Sequence, residues 1–492
     1  MIHVPIASLL LSCSLAATTP EAPDTTLTMT TRELRTSHGA KIGADAGRLL
    51  VPENRAVASS RRIPIRFLWL HARTSHPRAP LFSLAGGPGQ RGVVDDPESL
   101  DFWSPFLDVC DVVLIDQRGV ADPLLRWSWD GPPALQFFVN ADSATAHLVE
   151  LNRRAAAVVR EHGVDITGYT TVESALDLDA LRQALGLKRI SVFGFSYGTH
   201  LAIAYLRAFD ANVDDAVIAG VEGPDQTYKL PMTMDGAMER LARRAAAAPE
   251  ISRRIPDLMA LYDRVVAQLD RSPMVVPVPA PGGKDTLRVP VGGFGLRFLL
   301  RVDVGDATDL PVFPRLLWSI DQGDPSLLTW FVRKRAGGAF GVQAMGIAMD
   351  AASGVSPERM AMIQAQSKTS RFADVVNFPF PAVGGPWGMP DLGPEFRSPL
   401  RSSVRALILS GSLDFNTPPE QGDELARGMP HATHLVVEGA GHEQTFLQNP
   451  DGTRAIVDFL AGRDVSQRKL RYAWPGFVAL EGRGGARHPS VP

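Results

Sequence analysis

Hydrophobic and polar positions divide the chain into three stretches. Between residues 45 and 225, short apolar runs alternate with segments repeating at helical spacing, the pattern of layered α/β architecture. Runs at 48–51, 63–70, 80–84, 111–115, 190–193 and 215–219 read as six strands. Before the fifth, Thr170-Thr171-Val172-Glu173 fits a capping box, with Thr170 accepting the Glu173 amide and Glu173 reaching back. The helix it opens carries Leu178, Leu181 and Leu185 on one face and stops at Gly186.

From 225 to 395 the pattern turns mainly helical, with Pro- and Gly-rich breaks. Ile255, Leu258, Met259, Tyr262, Val265, Val266 and Leu269 form a helical stripe, with Pro256 placed in its first turn. Residues 274–291, with Pro-Gly-Gly inside, read as a hairpin or irregular excursion. Phe378-Pro379-Phe380-Pro381 and Gly384-Gly385-Pro386-Trp387 mark an exit loop. Strand signals resume at 404–409 and 434–437, a helix is expected over 453–460, and a polar Arg- and Gly-containing tail follows. The pattern predicts a leader over 1–24, a sheet domain over 25–224 and 396–465, and a tail over 466–492. A mainly helical cap, 225–395, is inserted between strands six and seven.

Composition narrows the function. At 492 residues the chain exceeds a single ordinary core. Charged residues make up 21% and the net charge is -3, and no basic stripe stands out, so nucleic acid is not an expected partner. The two cysteines, Cys13 and Cys110, are too few for a disulfide framework or a Cys-rich metal site, and neither metal nor organic cofactor is expected. Residues 2–15 are mostly apolar and a Pro/Thr-rich stretch follows. This predicts an export signal, with Ala16 or Ala17 at the cleavage site, although no Lys or Arg lies near Met1. Leu10-Leu11-Ser12-Cys13 also fits lipoprotein processing with Cys13 as the anchor; a cytoplasmic chain with an unstructured leader is the alternative. No later segment is long and apolar enough to span a bilayer. Oligomeric state is not legible.

The chemistry lies at strand ends. Gly194-Phe195-Ser196-Tyr197-Gly198 stands between a strand run and a helical stretch, where a nucleophile on a tight turn needs small neighbours. Asp414 follows the strand run ending in Ser410-Gly411, and His442 follows the last strand on the loop Gly439-Ala440-Gly441-His442. The order Ser…Asp…His is that of the α/β-hydrolase fold, with Ser196 as nucleophile, His442 as base and Asp414 orienting the ring. Leu84-Ala85-Gly86-Gly87-Pro88-Gly89 ends another strand. It offers the Gly87 amide, with that of Tyr197, as oxyanion donors; Pro88 has no N–H to give. Asp116-Gln117-Arg118-Gly119 reads as a loop lock, and His200 as a residue that packs or faces solvent.

Together, Gly86-Gly87-Pro88-Gly89, Asp116-Gln117-Arg118-Gly119, Gly194-Phe195-Ser196-Tyr197-Gly198-Thr199, Asp414 with Thr417-Pro418-Pro419, and Gly439-Ala440-Gly441-His442 resemble the prolyl aminopeptidase and tripeptidyl aminopeptidase-like serine hydrolases. Val51-Pro52-Glu53-Asn54-Arg55 adds to the likeness, which spans roughly 45–460 and is loosest over the insertion. It implies release of an N-terminal residue or short peptide through an acyl-enzyme, beneath a cap that selects substrate. A carboxylate is then needed for the free α-amino group, and Glu222, just past the sixth strand, is the candidate. Two departures stand out: Ala85 replaces the His usual in prolyl aminopeptidases, and no cysteine follows Cys110. A carboxylesterase or other small-acyl hydrolase with the same triad is the alternative. A non-catalytic binding protein on the same fold is the remote one.

Overall fold

The computed structural model describes residues 26–128, 134–280, 285–303, 309–336 and 341–480. The leader over 1–24, with Cys13, lies outside these residues, as does the last part of the tail.

A nine-stranded sheet forms the frame. Its strands are β1 (Leu27–Arg35), β2 (Lys41–Pro52), β3 (Arg62–Leu70), β4 (Arg78–Leu84), β5 (Cys110–Ile115), β6 (Ile190–Phe195), β7 (Val213–Ala219), β8 (Arg405–Gly411) and β9 (Ala432–Val437). They lie in the order β1-β2-β3-β5-β4-β6-β7-β8-β9. The β1–β2, β2–β3 and β3–β5 pairings are antiparallel, and all pairings from β5 through β9 are parallel. The inner parallel strands are largely apolar because helices cover both faces, as in Ile190 through Phe193 and Ala406 through Leu409.

Eight strands fall where the hydrophobic runs place them, most with wider bounds. β1 is additional. It is polar and almost wholly exposed (Leu-Thr-Met-Thr-Thr-Arg-Glu-Leu-Arg), an edge strand held by its register with β2, Leu27 opposite Leu49 through Arg35 opposite Lys41. Charges along such an edge discourage pairing with other chains. Because β1 comes first, the insertion leaves the sheet after β7 and returns at β8, the two strands the sequence marks.

The helix Thr171–Ala184 starts as expected: the Thr170 hydroxyl accepts the Glu173 amide at 3.2 Å, and Gly186 adopts φ +69° beyond its end. The reciprocal half of the capping box is replaced, since the Glu173 carboxylate pairs with Arg55 and Arg118. In the insertion, Leu258–Arg271 begins two residues after Pro256, with Asp257 as N-cap accepting the amides of Met259 and Ala260. Proline therefore precedes this helix rather than sitting in its first turn. Residues 274–291 form the antiparallel hairpin Met274–Pro279 with Thr286–Val291.

The insertion has its own core, including Met238, Leu241, Leu261, Val265, Leu269, Val276, Leu299, Leu316 and Phe331. Phe137 and Phe138 join it from the sheet side, as do Leu413 and Phe415 on either side of Asp414. The helix Ala344–Ser353 instead packs into the core of the sheet through Ala344, Met345, Ala348 and Met349. The C-terminal segment through 480 is less polar in its setting than its composition suggests: Leu470 is buried, and Trp474, Phe477 and Leu480 lie against the core of the insertion.

Candidate active site

Ser196 follows β6 and caps the helix Tyr197–Phe209 at φ 55°, ψ -126°, a left-handed backbone that bulky residues avoid. The flanking glycines are sterically required. A Cβ on Gly198 would lie 2.0 Å from the Leu84 carbonyl oxygen, and one on Gly194 would lie 2.4 Å from the Gly198 carbonyl oxygen. This crowding lifts the Ser196 hydroxyl from the end of the sheet.

There His442 Nε2 lies 2.9 Å from Ser196 Oγ, and His442 Nδ1 lies 2.8 Å from Asp414 Oδ2. Asp414 is fully buried, yet its oxygens are satisfied. Oδ1 accepts the amides of Asn416 and Thr417 at 2.8 and 2.9 Å, and Oδ2 accepts the Thr417 hydroxyl at 2.6 Å. Burial pushes this carboxyl up, but the imidazole and these donors outweigh it and hold the group below the usual carboxylate range. Thr417 Oγ1 also sits 3.0 Å from His442 Nδ1, so it shares the carboxylate–imidazole corner. Sequence reasoning quoted Thr417 but gave it no role. The Phe195 ring backs the imidazole at 4.8 Å between centroids. A hydroxyl, imidazole and buried carboxylate linked in this order can move the hydroxyl proton to the ring and stabilise the imidazolium.

The Gly86–Gly89 loop adjoins the hydroxyl: a Cβ on Gly86 would come within 3.1 Å of Ser196 Cβ, and Gly87, at φ +115°, lines the same cavity as Ser196. The Tyr197 amide is the first of its helix, where N–H groups have no partner within the helix. Gln117 fastens the loop from beneath. Its Nε2 donates to the carbonyls of Ala85 and Gly86 at 2.7 and 3.2 Å, and its Oε1 accepts the Gly89 amide at 3.1 Å. Asp116 accepts the amides of Gly92 and Val93. Arg118, wholly buried, reaches Asp177, Glu173 and the carbonyls of Glu53 and Gly168. The Asp116–Gly119 stretch thus locks loops, as its sequence suggests, and Glu53 and Arg55 belong to the same network.

His200 is buried and takes no part in the triad geometry. Nδ1–H donates to the Gly223 carbonyl at 3.1 Å, leaving Nε2 to accept from Ser353 at 3.1 Å; burial lowers its affinity for a proton. Thr171 Oγ1 lies within hydrogen-bond distance of both Ser353 Oγ and Tyr197 Oη, so a polar chain runs from the nucleophile helix to the insertion.

A cavity of about 590 Å³ opens above Ser196, within the range of small-ligand sites. Glu222 lines it, and one of its oxygens is held by Lys229 Nζ at 2.6 Å. A second carboxylate, Asp350 on the helix Ala344–Ser353, lines the same cavity. Burial, reinforced by the charge of Glu222 and opposed by Lys229, holds it well above the usual carboxylate range. Sequence reasoning missed Asp350, because one acid in Ala344-Met345-Gly346-Ile347-Ala348-Met349-Asp350 reads as the polar side of an amphipathic helix. Among the described residues no cluster of three or more His, Cys, Asp or Glu side chains is arranged to hold a metal ion.

The family described as alpha/beta hydrolase fold matches residues 80–264, and the family described as TAP-like protein matches 385–469. A tripeptidyl aminopeptidase from Streptomyces lividans is 37% identical over 172 residues, covering 31% of this chain and 31% of the relative. Serine protease Hip1 from Mycobacterium tuberculosis is 27% identical over 162 residues, 28% of this chain and 29% of the relative. A proline iminopeptidase from Xylella fastidiosa is 34% identical over 74 residues, 15% and 23% respectively. The chain thus spans less than a third of the length of each of these relatives. It has the α/β-hydrolase fold, and over these segments it resembles enzymes named as aminopeptidases and serine proteases.

Proposed function

We propose that the protein is a serine hydrolase working through an acyl-enzyme, and that it releases an N-terminal residue or short peptide. The observation that carries this reading is the Ser196–His442–Asp414 hydrogen-bond chain opening into a cavity that the carboxylates of Glu222 and Asp350 help to line. Ser196 Oγ attacks the substrate carbonyl while His442 Nε2 takes its proton. Asp414 keeps Nδ1 protonated and balances the imidazolium. The amides of Gly87 and Tyr197 receive the oxyanion, each contributing roughly 3 kcal/mol by the measure of other such sites. The imidazolium then protonates the leaving amine, and water repeats the cycle on the ester.

Glu222 and Asp350 act on each other electrostatically with Lys229 between their effects, and an ionised Asp350 beside Glu222 offers an α-ammonium group a counter-charge. Glu222 therefore keeps the role the resemblance implies, now shared with Asp350. Residues 225–395 serve as the cap that roofs this cavity and selects the acyl group. The apolar leader is an export signal. No helix among the described residues is long and apolar enough to cross a membrane.

A fluorophosphonate probe tests the enzyme reading: Ser196 labels in folded protein and Ser196→Ala does not, with turnover falling roughly 10⁴–10⁶-fold. Aminoacyl and tripeptidyl chromogenic amides with free and acetylated N-termini, set beside nitrophenyl esters, test the substrate class. Turnover confined to esters would sink the peptidase reading.

A further inference from the structure

The wall of the cavity beside the Asp414 loop carries a cation with no acid assigned to it. Arg301 sits in the last turn of the helix Gly293–Asp303 and lines the cavity together with Ser196, Asn416, Thr417 and His442. Its Nε donates to the Val376 carbonyl at 3.0 Å, and its Nη1 donates to Asn416 Oδ1 at 2.5 Å. Both acceptors are neutral. Among the described residues no carboxylate lies within ion-pair distance of this guanidinium. The acids that act on it electrostatically are already engaged, Asp414 by His442 and Glu222 by Lys229. Among the described residues none accepts a hydrogen bond from Nη2.

An arginine taken partly out of water without an acid is expensive, and its planar fork fits a carboxylate with two parallel hydrogen bonds. Two neutral acceptors hold the fork in place, and the remaining donors face a space that Ser196 also faces. We propose that Arg301 binds a carboxylate of the substrate, so that the cavity selects acidic peptides: those with an acidic side chain near the scissile bond, or those short enough to bring their own C-terminal carboxylate to it. The proposal rests on the serine-hydrolase reading and adds to the ammonium site a second, oppositely charged determinant. Arg301 also touches Asn416, whose amide donates to Asp414, so a carboxylate seated here bears on the loop that holds the base.

The experiment is protection of Ser196 from a fluorophosphonate by matched peptides, which needs no turnover. One pair differs by a C-terminal carboxylate against its amide, the other by Glu against Gln within a C-terminally amidated peptide. In the wild type the acidic member of at least one pair should protect at a concentration at least tenfold lower, and the pair affected identifies the source of the carboxylate. Arg301→Gln should bring that ratio to about one, and Arg301→Lys should restore part of it. The ratio separates recognition from structural damage, because a disturbed Asp414 loop weakens both members alike. A ratio near one in labelled wild type, or a preference that survives in Arg301→Gln, overturns the proposal alone. Failure of Ser196 to label overturns the hydrolase reading and this inference with it.

Discussion

Asp350 and Thr417 are the single residues whose removal says most about the site. Asp350 is held well above the ordinary carboxylate range, so at low pH it is neutral and gives an ammonium group nothing to pair with. Binding of free-amine peptides should therefore strengthen as pH rises through that raised value, until the peptide amine itself deprotonates near pH 8. The ratio of kcat/KM for free-amine over acetylated peptides isolates this limb from pH effects on the chemical steps that both substrates share. Asp350→Asn should flatten the ratio across pH, and an unchanged slope would remove Asp350 from amine binding. Thr417 donates to Asp414 Oδ2 and touches Nδ1, so Thr417→Val leaves an oxygen of a fully buried carboxylate short of a donor. About 1–3 kcal/mol of that loss is expected, read as a lower melting temperature and a lower kcat with KM little changed. Asp414→Asn should be harsher, lowering kcat by about 10⁴-fold through the wrong imidazole tautomer.

Among the elements, the turn between β6 and its helix and the loop after β4 form one unit. Gly198 packs on the Leu84 carbonyl, at the very end of β4, so Gly198→Ala should cost roughly 1–3 kcal/mol or more and misplace both Ser196 and the donor loop. Thermal melting and fluorophosphonate labelling read the two effects separately. Gln117→Ala removes three hydrogen bonds that hold the Gly86–Gly89 loop without touching the hydroxyl–imidazole–carboxylate chain. It should reduce kcat by roughly ten- to a hundredfold, a fraction of what one oxyanion donor is worth, and leave fluorophosphonate labelling detectable. Equal kcat in the variant would show that the loop stands without its clamp.

How far these elements were legible depended on whether their role wrote itself into an apolar run. Ser196 and Asp414 each follow a strand buried on both faces, and His442 follows the half-buried edge strand β9, whose Leu435-Val436-Val437 is still an apolar run. β1 left no such trace: its side chains face water on an edge, and its identity comes from hydrogen bonds to β2. The position of Glu222 was readable from β7, but its pairing with Lys229 was not, because that contact depends on how the chain turns after the strand. Asp350 and Arg301 were hidden for a related reason. On an amphipathic helix an acid or arginine facing a cavity has the same spacing as one facing solvent.

For the molecule as a whole, the core of the insertion reaches the loop that carries Asp414. Leu413 and Phe415 pack into the core of the insertion while Asp414, between them, holds His442 Nδ1. Phe415→Ala should cost about 3–5 kcal/mol and lower kcat together with stability, since the anchor of the insertion and the mooring of Asp414 are the same loop. Differential scanning calorimetry checks this coupling. One cooperative transition that moves as a unit is expected, whereas a separate early transition in the variant would show that the insertion melts alone.

The contact between the insertion and the Gly86–Gly89 loop carries a further consequence. The Gln343 amide donates to the Gly89 carbonyl, and Gly346 stacks so closely on Pro88 that an added Cβ would lie 2.8 Å from its carbonyl oxygen. The insertion therefore rests on the residues that directly follow Gly87, whose amide is the proposed oxyanion donor. Grafting a foreign roof onto this sheet to change its substrate would not be modular: a transplant ending short of Gln343 and Gly346 inherits a new selectivity and forfeits the machinery it was meant to redirect.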